Sequence, residues 1–219
     1  ALKELDIPID ASHRISGLRM IAGRQIRELP WPETDRFPGY GAVWPRQSLD
    51  AELISAAESA GAAVSFQSTA RPIIEDGVVR GVRVECLGGT REVHAEKVIV
   101  ATGAPGAVAR ELGAVRVADE PFGLAIRSYV ESPRHADEML EACLTLRDEH
   151  GTPVPGYGWI FPCGDGSVNI GVGALSTMKG FKSLNLNKLL ASYRASVEGS
   201  WSLGADIGKA RAWRLPMSV

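Results

Sequence analysis

Residues 155–162 read Pro155-Gly156-Tyr157-Gly158-Trp159-Ile160-Phe161-Pro162, and in this stretch an aromatic ring recurs at every second position. Successive side chains of a β-strand point to opposite faces, so the three rings are predicted to stand on one face. Such a stripe is an apolar wall with a polar atom on two of its three rings. It suits a site that holds a long hydrophobic ligand, and it equally suits a plain core between a sheet and helices.

The residues that follow predict the second half of a hairpin. Asp165-Gly166 forms a tight turn, and residues 168–173 form the returning strand. Four glycines are predicted to leave one face of this ribbon nearly bare, so that a ligand or a backbone can approach it: Gly156, Gly158, Gly171 and Gly173.

Composition excludes several classes of function. The chain has 219 residues and a net charge of −2, and its basic residues are dispersed, which argues against nucleic acid as a partner. The three cysteines form no Cys-x-x-Cys pair and the four histidines show no metal-ligand spacing, so no metal site is predicted. No apolar run reaches the roughly 18 residues of a membrane span, and no signal peptide is seen. A cytoplasmic location is therefore expected.

The hydrophobic pattern predicts a mixture of helices and strands. Helical spacing occurs over 49–60, 136–146 and 184–197. Short apolar or alternating stretches predict strands at 64–68, 71–74, 78–86, 98–101 and 122–126, and the stretch 15–26 predicts a hairpin around Gly23. This order is typical of an α/β (α+β) protein in which part of an α/β nucleotide domain is joined to a mostly antiparallel sheet with flanking helices.

Three stretches resemble the geranylgeranyl reductase family of flavoproteins, which have the p-hydroxybenzoate hydroxylase fold. The first is Arg46-Gln47-Ser48-Leu49-Asp50, and the second is Val98-Ile99-Val100-Ala101-Thr102-Gly103. The third is Tyr157-Gly158-Trp159-Ile160-Phe161-Pro162 with the glycine-rich strand after it, which looks like the family's substrate-cavity signature Pro-x-x-Tyr-x-Trp-x-Phe-Pro. The run as far as Thr177 looks closest to the actinobacterial members that reduce the tail of menaquinone.

The sequence departs from the family pattern in three places. Val154 stands where the signature begins with proline, and Thr102 stands where the family usually has an aspartate. Neither the opening Gly-x-Gly-x-x-Gly turn, which seats the flavin pyrophosphate on a helix N-terminus, nor the closing Gly-Asp motif is found at its expected place. The chain is therefore expected to be an internal segment of a longer enzyme. The alternative is a natural relative that lacks the cofactor.

The resemblance implies an FAD-dependent reductase that saturates carbon–carbon double bonds of a polyprenyl chain. It implies a partial FAD-binding domain over 1–115, an antiparallel-sheet substrate domain over 116–207 and a return toward the FAD domain over 208–219. It places the substrate against Tyr157, Trp159, Phe161 and Pro162. It places the FAD cofactor against Arg46, Ala70 and Gly103. No catalytic side chain is identified.

The implied partners are a polyprenyl lipid or quinone and an electron donor of unknown kind. A peripheral contact with the inner face of the cell membrane is expected, because the substrate resides there. Two other functions stay open: a flavin-dependent monooxygenase of the same fold, since fold does not fix chemistry, and a non-catalytic module that binds a lipid or quinone.

Overall fold

The computed structural model describes Leu5, Ile7 and residues 12–103, 106–114 and 120–217. The chain divides into two compact units, one formed by Ala1–Ala56 with Pro121–Val219 and the other by Ala57–Glu120. Each unit is described by itself. The domain limits expected from the sequence concern the longer protein and stay a prediction.

The described residues form twelve strands and three α-helices. The strands are β1 His13–Ile15, β2 Gly17–Ala22, β3 Gln25–Pro30, β4 Gly41–Val43, β5 Thr69–Glu75, β6 Val78–Cys86, β7 Gly89–His94, β8 Phe122–Glu131, β9 Met139–Cys143, β10 Gly156–Pro162, β11 Ser167–Leu175 and β12 Asp206–Pro216. The helices are α1 Arg46–Ser59, α2 Ala107–Glu111 and α3 Leu186–Trp201, and a 3-10 turn spans Phe181–Ser183.

A seven-stranded sheet dominates the first unit, in the order β12-β8-β11-β10-β9-β2-β3. All neighbours in it are antiparallel except β2 and β9. The fold class predicted from the sequence, α/β with a mostly antiparallel sheet, is confirmed. A short ribbon of β1 and β4 completes the strands of this unit.

Helix α3 covers one face of the seven-stranded sheet. Its start is capped by the Asn185 side chain, which accepts a hydrogen bond from the backbone N–H of Lys188 at 3.2 Å. Its apolar side chains recur at helical spacing and are buried, which confirms the helix predicted over 184–197. The buried partners of this helix are Ile126, Val130, Ile160, Val168, Ile170 and Val172. This side of the sheet is called the helix face below.

The second unit contains the three-stranded sheet β5-β6-β7. Asp76 and Gly77 both have positive φ, 51° and 76°, and form the turn between β5 and β6 as predicted. The predicted strand over 98–101 is wrong: this stretch has no regular structure, and Ile99 is 91% exposed. An apolar strand of this kind needs neighbours on both sides, and the described residues provide none. The predicted strand over 64–68 is wrong for the same reason.

The helix predicted over 136–146 is also wrong. Met139–Cys143 forms β9, which pairs with β10 on one side and β2 on the other. Five residues are too few for the spacing of apolar side chains to distinguish a helix from a strand, and pairing with two strand edges decides in favour of the strand. The helix predicted over 49–60 is confirmed as α1, which begins earlier, at Arg46.

Candidate functional site

The three aromatic rings of β10 stand on the face of the sheet opposite α3, called the ring face below. The ring centroids of Tyr157 and Trp159 are 5.6 Å apart, and those of Trp159 and Phe161 are 6.1 Å apart. Tyr157 is 46% exposed and Trp159 is 9% exposed. The predicted stripe is therefore continuous, with its open end at Tyr157. Pro162 is buried at the end of β10 and follows the alternation to the helix face, away from the rings.

The indole of Trp159 is held by the neighbouring strand β11. Its Nε1–H donates to the side-chain oxygen Oδ1 of Asn169 at 2.9 Å. A Cβ added at Gly171 would lie 2.2 Å from Cζ2 of this indole, and one added at Gly173 would lie 3.7 Å from Cζ3. The ring therefore lies flat across two glycines, with its one polar atom satisfied.

The four glycines of the hairpin do not share a face, so the nearly bare face predicted from the sequence is wrong. Gly171 and Gly173 lie opposite Trp159 and Tyr157 and belong to the ring face. Gly158 belongs to the helix face, where an added Cβ would lie 2.6 Å from the ring of Tyr193. The glycines allow an aromatic ring to pack closely on each face.

The part of the ring face that runs from Tyr157 across β11 and β8 to Trp213 is apolar. The strand register places Ala142 beside Trp159, and Ala125 beside Gly173. Two large side chains of this face that are well exposed are Leu175, at 44%, and Trp213, at 61%. A contiguous apolar surface of this kind marks a place where a ligand or another surface binds.

Buried polar groups lie on the helix face behind the rings. Glu141 is 3% exposed, and its Oε1 accepts from Nε1–H of Trp201 at 3.0 Å. Its Oε2 lies 3.6 Å from Nη1 of Arg19. Burial raises the pKa of the Glu141 carboxyl above its ordinary value, although the hydrogen bond from Trp201 opposes this. Burial also raises the pKa of Tyr193, whose hydroxyl finds no hydrogen-bond partner among the described residues.

The residues expected to contact a cofactor are spread over both units. Arg46 begins α1 in the first unit, and its guanidinium donates to both carboxylate oxygens of Asp50, at 3.0 and 3.1 Å. These hydrogen bonds raise the pKa of Arg46. Ala70 lies exposed in β5, paired with Val84, and Gly103 is exposed with φ of +70°. Within the described chain, no hydrogen bond or ring contact joins Arg46 to the aromatic stripe.

Sequence reasoning missed two features of the first unit. One is the support of Trp159 by Asn169 and Gly171, which the predicted hairpin register could have revealed. The other is a cavity of about 750 Å3 beside Arg46, into which basic residues of β8 and β12 point. Its basic residues come from β8 and from β12, which are distant in sequence, so the sequence alone carries no signal for it.

Within the described ranges, no group of three or more His, Cys, Asp or Glu residues could hold a metal ion. The described helices include none that is both long and apolar enough to cross a bilayer.

Comparisons with known proteins show where this fold occurs. No family profile matches the chain. It is 36% identical over 204 residues to the menaquinone reductase of Mycobacterium tuberculosis, covering 93% of this chain and 50% of that protein. It is 30% identical over 168 residues to a digeranylgeranylglycerophospholipid reductase of Methanosphaerula palustris, covering 76% of this chain and 40% of that protein. The chain thus spans about half the length of the curated relatives it matches.

Among solved structures, a geranylgeranyl bacteriochlorophyll reductase-like protein from Thermoplasma acidophilum superposes with a TM-score of 0.75 at 22% identity, over 99% of this chain and 54% of its own. This similarity shows a shared fold. Together with the sequence relatives, it confirms the resemblance drawn from the motifs: the chain belongs to the geranylgeranyl reductase family and corresponds to about half of a member's length.

Proposed function

We propose that this chain supplies the substrate-facing sheet of an FAD-dependent reductase that saturates carbon–carbon double bonds of a polyprenyl chain. The observation that carries the proposal is the stripe of three rings on the side of the sheet opposite α3, with Trp159 held by Asn169. The names of the relatives support it, since they are reductases of menaquinone and of a digeranylgeranyl lipid.

The residues expected to meet FAD fit such a group. Arg46 is an exposed cation suited to an anionic part of the cofactor. At Gly103 the position that a Cβ would occupy is open, with nothing within 4 Å, so a bound group can approach the backbone closely. Ala70 is exposed and small. Bound FAD would supply the hydride for the reduction.

The chain's own part in the reaction is to bind, orient and exclude water. An isolated alkene is a poor hydride acceptor, so the rate depends on placing the double bond accurately. Trp159 and Phe161 would hold the isoprenoid chain, and the Asn169 hydrogen bond keeps the indole in one orientation. The second carbon of the alkene must receive a proton, and the hydroxyl of Tyr157 lies at the exposed end of the stripe.

The polyprenyl substrate also supports a peripheral contact between the protein and the inner face of the membrane. The exposed side chains of Trp213 and Leu215, on edge strand β12, offer an apolar surface for it. Such a contact would let the isoprenoid tail pass from the bilayer to the ring face without crossing water.

The test is product analysis with the full-length protein that contains this segment, supplied with FAD and a chemical reductant. We expect polyprenyl products that gain one pair of hydrogens for each bond saturated, measured by mass spectrometry. Hydroxylated product or peroxide formed in air would instead identify a monooxygenase. Tight retention of a polyprenyl ligand without flavin or turnover would identify a binding module.

A further inference from the structure

The cavity of about 750 Å3 in the first unit is built by the start of α1, the end of β8, the β10–β11 turn and the first half of β12. Its lining includes Arg127 and Tyr129 from β8 and Lys209 and Arg211 from β12. Strand β12 is irregular at this point, since the register with β8 shifts between Ile207 and Arg211 and Gly208 has φ of +82°. The irregularity places Lys209 beside the regularly paired Arg211 at the same cavity.

Like charges lie directly opposite each other in this cavity. Arg211 is paired in register with Arg127 on the neighbouring strand, and both side chains line the same space. Like charges at opposite positions of an antiparallel pair are destabilising. In the described part of the chain, none of Arg127, Lys209 and Arg211 forms an ion pair with a carboxylate.

The other charged groups of the cavity already have partners. Arg46 donates to both oxygens of Asp50, and it is the residue of this lining that is proposed above to meet FAD. Asp165 is the acidic residue of the lining, and its Oδ1 accepts from the backbone N–H and the hydroxyl of Ser167, at 3.1 and 2.6 Å. Arg127 stacks over the ring of Tyr129, 4.8 Å from its centroid. Like Lys209 and Arg211, it has no carboxylate partner among the described residues, so an external anion can bind all three cations.

We propose that this cavity binds a phosphate-bearing ligand, held by Arg127, Lys209 and Arg211. Arginine binds phosphate oxygens with two parallel N–H donors, and lysine adds a point charge. A volume of about 750 Å3 is that of a small-molecule site and exceeds what a single inorganic phosphate needs. The same chemistry is offered by the diphosphate of a soluble nucleotide and by the headgroup of an anionic lipid.

The first experiment titrates the purified chain with inorganic pyrophosphate in a calorimeter, at low salt and at physiological salt. We expect saturable binding with one site per chain, weaker at the higher salt concentration. Lys209→Gln and Arg211→Gln should each weaken binding about tenfold, because each removes one charged contact to phosphate. Circular dichroism checks that both variants keep the sheet.

The matched control is Arg27→Gln. Arg27 is an exposed arginine on β3, the opposite edge strand of the same sheet, and its side-chain hydrogen bond goes to the backbone carbonyl of Ile26. The control changes the net charge by the same amount, so it should leave the affinity within about twofold. Equal weakening by Arg27→Gln, or no saturable binding of pyrophosphate, would overturn the proposal.

Two further titrations identify the source of the phosphate. Competition by ADP supports a soluble nucleotide. Binding to phosphatidylcholine vesicles only when they contain phosphatidylglycerol, and its loss in Arg211→Gln, supports a lipid headgroup.

Flavin content separates this site from the proposed cofactor site. The full-length protein with Arg211→Gln should keep its FAD. Loss of FAD in that variant would show that the cations serve the flavin itself and would overturn a second site. Failure of the reductase assay with pyrophosphate binding intact would affect only the proposed function.

Discussion

At the scale of single residues, the orientation of Trp159 depends both on a hydrogen-bond acceptor of the neighbouring strand and on the absence of a side chain at one of its glycines. Asn169 provides the acceptor for the indole N–H, and Gly171 provides the empty position that the ring fills. A side chain at Gly171 would lift the ring from the sheet, because its Cβ would lie 2.2 Å from the indole. The orientation of the proposed substrate-binding ring therefore depends on β10 and β11 together.

Replacing Trp159 with alanine in the full-length protein should impair turnover of long polyprenyl substrates far more than it lowers flavin content. The change removes a large part of the wall without touching Arg46, Ala70 or Gly103, which are proposed to contact the cofactor. Steady-state kinetics with substrates of different chain length, together with flavin absorbance per protein, measure the two effects. Trp159→Phe, which keeps an aromatic ring, should lose less. Parallel loss of activity and flavin would show that Trp159 is structural core.

Replacing Gly171 with alanine should destabilise the fold by about 1–3 kcal/mol, the usual cost of overpacking a tight site. The new methyl group would lie 2.2 Å from the indole, so the ring or the strand must move. Gly199 of α3 is the matched control, because a Cβ there meets nothing within 4 Å. Gly199→Ala should stabilise the protein by about 0.5–1 kcal/mol through helix propensity. Urea denaturation of both variants measures the difference, and equal effects would contradict the packing described for Trp159.

At the scale of elements, the hydrophobic pattern of the sequence predicted correctly the helices and strands that do not depend on distant partners. The β10–β11 hairpin and α3 carry strong alternation or helical spacing and were predicted correctly. β9 was not, because a stretch of only five mostly apolar residues fits either structure, and distant partners on β2 and β10 select the strand. The basic cavity was missed for a similar reason, since Arg127 and Arg211 are distant in sequence and only the β8–β12 register brings them together.

The pairing of β9 also buries the carboxyl group of Glu141, and this predicts that the stability of the fold depends on pH. The pKa of Glu141 is raised in the folded state from its ordinary value of 4.5, mainly by burial. Its favourable contribution to folding is therefore complete below pH 4.5 and is lost as the pH rises through the folded pKa. Glu141→Gln keeps an oxygen for the Trp201 N–H and cannot ionise. Relative to this variant, the wild-type chain should lose stability as the pH rises above 4.5, measured by urea denaturation at each pH. An opposite trend would show that the Arg19 contact outweighs burial.

At the scale of the whole molecule, the two units differ in how far their apolar residues are buried within the described chain. The first unit has a sheet with a helix packed on one face and a buried core. The second contains the stretch 98–101, an apolar segment of the type that forms a central strand, with Ile99 almost fully exposed. In the curated relatives, the matching region is about half of a longer protein. Two of the three residues proposed to meet FAD, Ala70 and Gly103, thus lie in the unit that contains this exposed apolar segment.

This difference predicts that the 219-residue chain by itself binds FAD weakly or not at all. The printed sequence has no Gly-x-Gly-x-x-Gly turn to hold a pyrophosphate at a helix N-terminus, and Gly103 and Ala70 offer only backbone and a small side chain. Absorbance near 450 nm, an approximate flavin maximum, recorded after purification with added FAD and gel filtration, measures retention. The full-length protein treated in the same way is the control and should keep about one flavin per chain. Stoichiometric flavin on the 219-residue chain would contradict the prediction.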